Sequence, residues 1–150
     1  MFADVRNFTT IGEALPPDRL VGMLNTLFGA LGAEVTGSSG TLDKFIGDAL
    51  MAFWNAPLPV EDHALRAAHS ALAMRGKVAE LNARDGFGLR AGATAFGAID
   101  IGIGLATGPA LVGNMGLETR FDYSCIGDTV NLASRLEGAT KAVAYDIVVS

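Results

Sequence analysis

Residues 41–54 read Thr41-Leu42-Asp43-Lys44-Phe45-Ile46-Gly47-Asp48-Ala49-Leu50-Met51-Ala52-Phe53-Trp54. Two apolar-rich runs flank a Gly-Asp pair, and glycine at the first central position of a two-residue loop favours the primed turns that match strand twist. The stretch is predicted to be a β-hairpin, Thr41 to Ile46 and Ala49 to Trp54, turning at Gly47-Asp48. Lys44 alternates with Leu42 and Ile46, which places it on their face of the first strand. A lysine in that company reads either as a contact to a ligand or partner, or as an edge charge that blocks aggregation.

Upstream of the hairpin, Met1 to Val5 is a short apolar run with strand character, and Asn7-Phe8-Thr9-Thr10 reads as a hydroxyl-rich turn. Pro16-Pro17-Asp18 opens a helix whose stripe is Leu20, Leu24, Leu27, Phe28 and Leu31. Downstream, Pro57 and Pro59 stop the second strand, and a long helix runs from Glu61 to about Asn82. Asp85 to Ala98 is glycine-rich and weakly patterned, so a loop is predicted there. Ile99 to Ala106, Ala110 to Val112 and Phe121 to Ile126 are strand-like. Asp128 is placed to cap a helix from Thr129 to about Gly138, and Ala144 to Val149 closes the chain as a strand. The resulting order predicts an α+β fold. Its core is a ferredoxin-like βαββαβ unit with an extra hairpin, helix and strand, and one antiparallel sheet with helices on one face.

That topology carries a geometric consequence. The first strand lies antiparallel to the third, so its end faces the turn that opens the third. Asp4 near that end and Asp48 in that turn should meet at one sheet edge, although 44 positions separate them in sequence. Two carboxylates so close repel unless a cation lies between them, and oxygen-only ligands suit Mg²⁺ or Mn²⁺. Spacing alone leaves open that Asp48 is a turn residue and Asp4 a strand-end cap. Backbone N–H groups around Asn7 to Thr10 are candidates for phosphate oxygens. Asn131 and Arg135, four apart, project from one helical face, which is also the ordinary pattern of a solvated face.

Composition narrows the classes. Of 150 residues, 50% are apolar and 18% charged, which excludes disorder. A net charge of −5 argues against a nucleic-acid surface but not against a nucleotide held through metal ions. Mean hydropathy is +0.36, yet the long apolar stretches are interrupted, so a covered subunit interface is the better account than a membrane span. Cys125 is the single cysteine and reads as a core residue. No signal peptide is legible, and a cytoplasmic setting is expected. Both ends fall within strand-like runs, so residues 1–150 are expected to form one domain cut from a longer chain at both ends.

Three segments together resemble the class III adenylyl and guanylyl cyclase family. FADVRNFT at 2–9 is similar to its first metal motif. KFIGDALMA at 44–52 is similar to its substrate-lysine and second-metal motif, and DYSCIGDTVNLASRLE at 122–137 to its base-recognition and transition-state segment. The resemblance implies the class III nucleotidyl cyclase fold and an adenylate cyclase, with cyclic AMP and pyrophosphate made from ATP. Asp4, Asp48 and the backbone carbonyl of Val5 would hold two divalent metal ions, Mg²⁺ or Mn²⁺. Lys44 and Ser124 would choose the base, the lysine implying adenine. Asn7, Phe8, Thr9, Gly47 and Arg120 would contact substrate phosphates, Asn131 would position the ribose and Arg135 the α-phosphate. The family builds each site from two subunits joined head to tail; one chain carrying both sets implies a homodimer. Regulatory or membrane domains would lie elsewhere in the parent chain. The family usually continues into a further hairpin bearing a phosphate-binding lysine, for which Lys141 is no counterpart. His63 and His69 match no family position. A guanylate cyclase and a catalytically silent cyclase-like dimerisation or regulatory module are the rival readings. A diguanylate cyclase would need a Gly-Gly-acidic-acidic-Phe hairpin that this chain lacks.

Overall fold

The structure, a computed structural model, describes residues 1–89, 97–117 and 119–150. In chain order its elements are β1 (Phe2–Val5), α1 (Phe8–Ala14), α2 (Pro17–Gly37), β2 (Thr41–Ile46) and β3 (Ala49–Phe53). They continue with α3 (His63–Ala83), β4 (Ile101–Leu105), β5 (Leu111–Leu117), β6 (Arg120–Ile126), α4 (Asp128–Val143) and β7 (Ile147–Val149). The main sheet runs β2-β3-β1-β4-β7, and β5 pairs with β6 in a separate two-stranded sheet. The ferredoxin-like core and its additions are as the sequence implied. β1 lies antiparallel between β3 and β4, whereas β7 is parallel to β4, so the sheet is mixed at that edge.

One face of the sheet, through Ala3, Val5, Leu50, Ala52, Ile101 and Ile103, packs on the stripe Met23, Leu27, Leu31 and Val35 of α2 and on Ala71, Met74 and Val78 of α3. Each of the larger side chains here, Val, Leu, Ile or Met, contributes about 1.5–3 kcal/mol when fully buried, before entropy is counted. By length and composition α2 could cross a membrane, but here that stripe is buried against the sheet.

Helices do not keep to one face. Helix α4 lies across the other, over Gly102 and Gly104 of β4. A Cβ at Gly104 would stand 2.1 Å from the Ala133 carbonyl oxygen, and one at Gly102 would stand 2.6 Å from Thr140 Oγ1. The alternating glycines of Ile101-Gly102-Ile103-Gly104-Leu105 bury isoleucine on one side and let a helix backbone touch the strand on the other.

Other elements differ locally. Within Asn7-Phe8-Thr9-Thr10 only Asn7 is in a turn; Phe8 starts α1, whose seven residues are too few to be helical alone and are held by the buried Ile11 and by Phe8 against the core. Strand β5 extends through Gly113 and Gly116, poor strand formers, because it pairs with β6 along its length. In α4 the cap residue is Gly127, so Asp128 is the first helical residue, and the helix continues past Gly138 to Val143. Within the loop predicted at 85–98, residues 90–96 lie outside the described residues.

The most consequential difference is a register shift in β2. Leu42 pairs with Ala52 while Lys44 pairs with Met51, leaving Asp43 as an extra residue in a β-bulge. Ala52 belongs to the α2/α3 core and Met51 to the opposite side. Lys44 therefore does not share the face of Leu42, as alternation predicted. The inserted residue flips it to the side of the sheet on which Asp4 and α4 lie.

Candidate active site

The Gly47-Asp48 turn forms as predicted, with Gly47 at φ 62°. Register pairs Asp4 of β1 with Ala49, the neighbour of Asp48, so the two aspartates meet at the ends of two interior strands, β1 and β3, and not at an edge of the sheet as expected. Burial, then the hydrogen bond to Asp4 and the charge of Asp4, push the Asp48 carboxyl up to about 6. From α4, Lys141 Nζ stands 3.7 Å from Asp4 Oδ2. Glu137, one turn earlier, has its carboxyl raised by burial and by Asp4, and its Oε1 is buried without a hydrogen-bond donor. Val5 is 2% exposed with its side chain in the core, so only its backbone is left to serve a ligand.

These groups fit a divalent cation. Two neighbouring carboxylates, with that of Asp48 pushed up by burial and by Asp4, form an incomplete oxygen shell. Among the described residues no three acidic, histidine or cysteine side chains converge, so phosphate oxygens and water would complete it, as magnesium prefers.

A second group gathers where β6 crosses β2. Ser124 Oγ donates a hydrogen bond to Asp43 Oδ2 at 2.5 Å. Lys44 Nζ lies 3.3 Å from Asp43 Oδ1 and 3.7 Å from Asp122 Oδ2. The Asp43 side chain is fully buried and the Lys44 side chain 36% exposed. Burial and then the Asp43 charge raise the neighbouring Cys125 thiol, which is a buried core residue as expected.

Sequence reasoning missed Asp43 and the approach of Lys141. Two adjacent charged residues, Asp43-Lys44, inside an apolar strand were a signal for the bulge. Nothing in the sequence located the face on which α4 packs.

The remaining candidates stand apart. Asn131 and Arg135 are exposed on α4, facing away from buried Ala133 and Thr140, and among the described residues neither side chain has a hydrogen-bond or ion-pair partner. Asn7 takes left-handed backbone at φ 54° and precedes α1 without capping it, so its side chain leaves the first N–H groups of Phe8 and Thr9 free of a cap. Arg120 opens β6, and its side chain lies outside the described residues. His63 begins α3 and lines a cavity of about 300 Å³ with Phe2, Met51 and Cys125, away from the carboxylate pair.

Against known proteins, the family model for the adenylate and guanylate cyclase catalytic domain matches residues 1–150. The chain is 38% identical over 151 residues to adenylate cyclase 1 of Rhizobium meliloti (strain 1021), covering all of this chain and 22% of that protein. It superposes on the guanylyl cyclase Cya2 with a TM-score of 0.81 at 36% identity, covering 91% of this chain and 66% of that one. The adenylyl cyclase CyaB from P. aeruginosa gives a TM-score of 0.81 at 35% identity, covering 92% and 69%.

Proposed function

The chain belongs to the adenylate and guanylate cyclase catalytic domain family, and on that premise we propose that it converts ATP to 3′,5′-cyclic AMP and pyrophosphate at sites shared by two copies. The observation that carries the reading is the meeting of Asp4 and Asp48 on the sheet face to which the bulge brings Lys44.

Family members generally use divalent metal ions. Asp4, Asp48 and the Val5 carbonyl would hold two of them, whose charge would acidify the ribose 3′-hydroxyl and offset that of the triphosphate. The 3′-oxygen attacks the α-phosphorus, the O3′–P bond forms as the bond to the β-phosphate bridging oxygen breaks, and the hydroxyl proton is released. Asn131 orients the ribose. Arg135 meets the negative charge that grows on the α-phosphate oxygens, a role suited to its planar fork of donors. Gly47, and the N–H groups from Asn7 to Thr9, cradle the phosphates, with Arg120 as a further phosphate contact.

Outward-facing Asn131 and Arg135 need a partner that the described residues of this copy do not supply. Leu111, Leu117, Phe121 and Ile126, each more than half exposed on the β5/β6 hairpin, offer the surface for one. A head-to-tail homodimer satisfies both. Because the chain spans 22% of its Rhizobium relative, regulation is assigned to other parts of a longer protein, with the domain working in the cytoplasm where ATP is available.

A guanylate cyclase is the second reading, favoured by the likeness to Cya2. Cyclic nucleotide formation from ATP and from GTP, with Mg²⁺ or Mn²⁺ and at several protein concentrations, separates the two. Cyclic AMP with specific activity rising with concentration is the expected result. Cyclic GMP alone would make it a guanylate cyclase, and no product from either nucleotide would remove the proposed activity from these 150 residues.

A further inference from the structure

Asp43 has no part in the chemistry above, yet it is the most completely buried carboxylate beside the base-facing residues. Its side chain has no exposed surface, and it touches both Lys44 and Ser124, residues of different strands. The bulge makes this possible. As the extra residue of β2, Asp43 turns to the same side as Lys44, where regular alternation would have sent it to the opposite one.

A serine hydroxyl is ambivalent, with one proton to donate and lone pairs to accept. Adenine and guanine present inverted patterns on the edge such a residue reads. Adenine offers an amino donor at position 6 and an acceptor at N1, guanine a carbonyl acceptor and an N–H donor. A free hydroxyl could serve either. Here the 2.5 Å contact, in the range of charge-assisted O–H···O⁻ bonds, commits the Ser124 proton to Asp43. What remains for a base is the lone pairs of Ser124 and the ammonium of Lys44, an acceptor beside a donor, which is the complement of adenine. Oδ1 of Asp43 faces that ammonium but has no hydrogen-bond donor, so the contact holds Lys44 near without using up its protons.

We propose that Asp43 is a positioning residue for base selection, fixing Ser124 as a hydrogen-bond acceptor and so setting the preference for adenine over guanine. The inference rests on the nucleotide-binding reading above. Asp43→Asn tests it, because an amide N–H can donate to Ser124 and release the hydroxyl proton towards the base. The measurement is equilibrium titration of the whole chain, with Mn²⁺, using α,β-methylene analogues of ATP, GTP and purine riboside triphosphate, in which the bond that breaks is blocked. The wild-type protein should bind the ATP analogue more tightly than both others, and Asp43→Asn should reduce the ATP-over-GTP preference roughly tenfold, the weight of one hydrogen bond. That pattern supports the inference even if no cyclic product forms, an outcome that would remove only the proposed activity. A folded Asp43→Asn protein with unchanged preference overturns it while leaving the cyclase reading intact. Equal wild-type affinity for the adenine and purine analogues overturns it without any variant, and no binding of any analogue overturns both readings.

Discussion

Lys141 Nζ lies 3.7 Å from Asp4 Oδ2, so an ammonium group from α4 already stands beside the carboxylate pair at the ends of β1 and β3. A half-exposed lysine adds little stability in water, about 0–1 kcal/mol, but its charge opposes any other cation at the same oxygens. Lys141→Gln should therefore lower the melting temperature of the metal-free protein slightly and tighten Mn²⁺ binding by roughly twofold to fivefold. Thermal scans with and without Mn²⁺ check both signs together; weaker Mn²⁺ binding in the variant would show that the lysine assists the site instead.

The Asp48 carboxyl, at about 6 in the fold against an ordinary 3.8, fixes a pH dependence. Between those values the folded chain binds more protons than the unfolded one, so this group's contribution to stability falls as pH rises and the penalty is complete above 6. Metal-free protein should thus lose stability from this group on going from pH 4 to pH 7. Below pH 6, divalent metal binding should release up to one proton and weaken as pH drops. Calorimetric titration of Mn²⁺ in two buffers of different ionisation enthalpy reads the proton directly.

Asp48→Asn removes the repulsion and the proposed metal ligand at once. At pH 7, without metal, the variant should be at least as stable as the wild type, whereas cyclic nucleotide formation should vanish. Chemical denaturation paired with a turnover assay gives both numbers. A folded variant with full turnover would remove Asp48 from the mechanism.

The proposed sharing of sites predicts complementation. Asp48→Asn and Arg135→Ala should each be inactive alone. Mixed in equal amounts, random pairing gives one intact site in half of the dimers, and about a quarter of wild-type activity returns. Activity that stays absent, with mixed dimers demonstrated, would place both residues in a single copy's site.

Gly104→Ala should be costly for a reason unrelated to chemistry. The added methyl would meet the α4 backbone at 2.1 Å from Ala133 and 2.2 Å from the Glu137 nitrogen, so the helix must lift. A loss of about 3 kcal/mol or more is expected in urea unfolding.

What the sequence disclosed and what it withheld divide along physical lines. The meeting of Asp4 and Asp48 was legible because strand order in a βαββαβ unit is set by connection rules, and a turn glycine fixes where the hairpin folds. The face of Lys44 was not, because a single inserted residue reverses side-chain direction without altering the hydrophobic pattern much. With that face went Asp43, whose meaning depends on a contact 81 positions away. Seven-residue α1 was hidden for another reason. Its helicity comes from Ile11 and Phe8 docking on the core, not from its own sequence.

Helix α4 presents Asn131 and Arg135 outwards near its start and Lys141 to Asp4 near its end, a span of ten residues or about 15 Å of rigid rod. The glycine seat on β4 leaves no room for that rod to tilt without loss of contact. In an assembly with two shared sites, the outward end would serve one reaction centre and the inward end the other. Any shift of the helix as a substrate settles at the first would be delivered, undamped by slack packing, to the second. Two such sites would then communicate, and half-occupied assemblies would have properties that neither the empty nor the full state possesses.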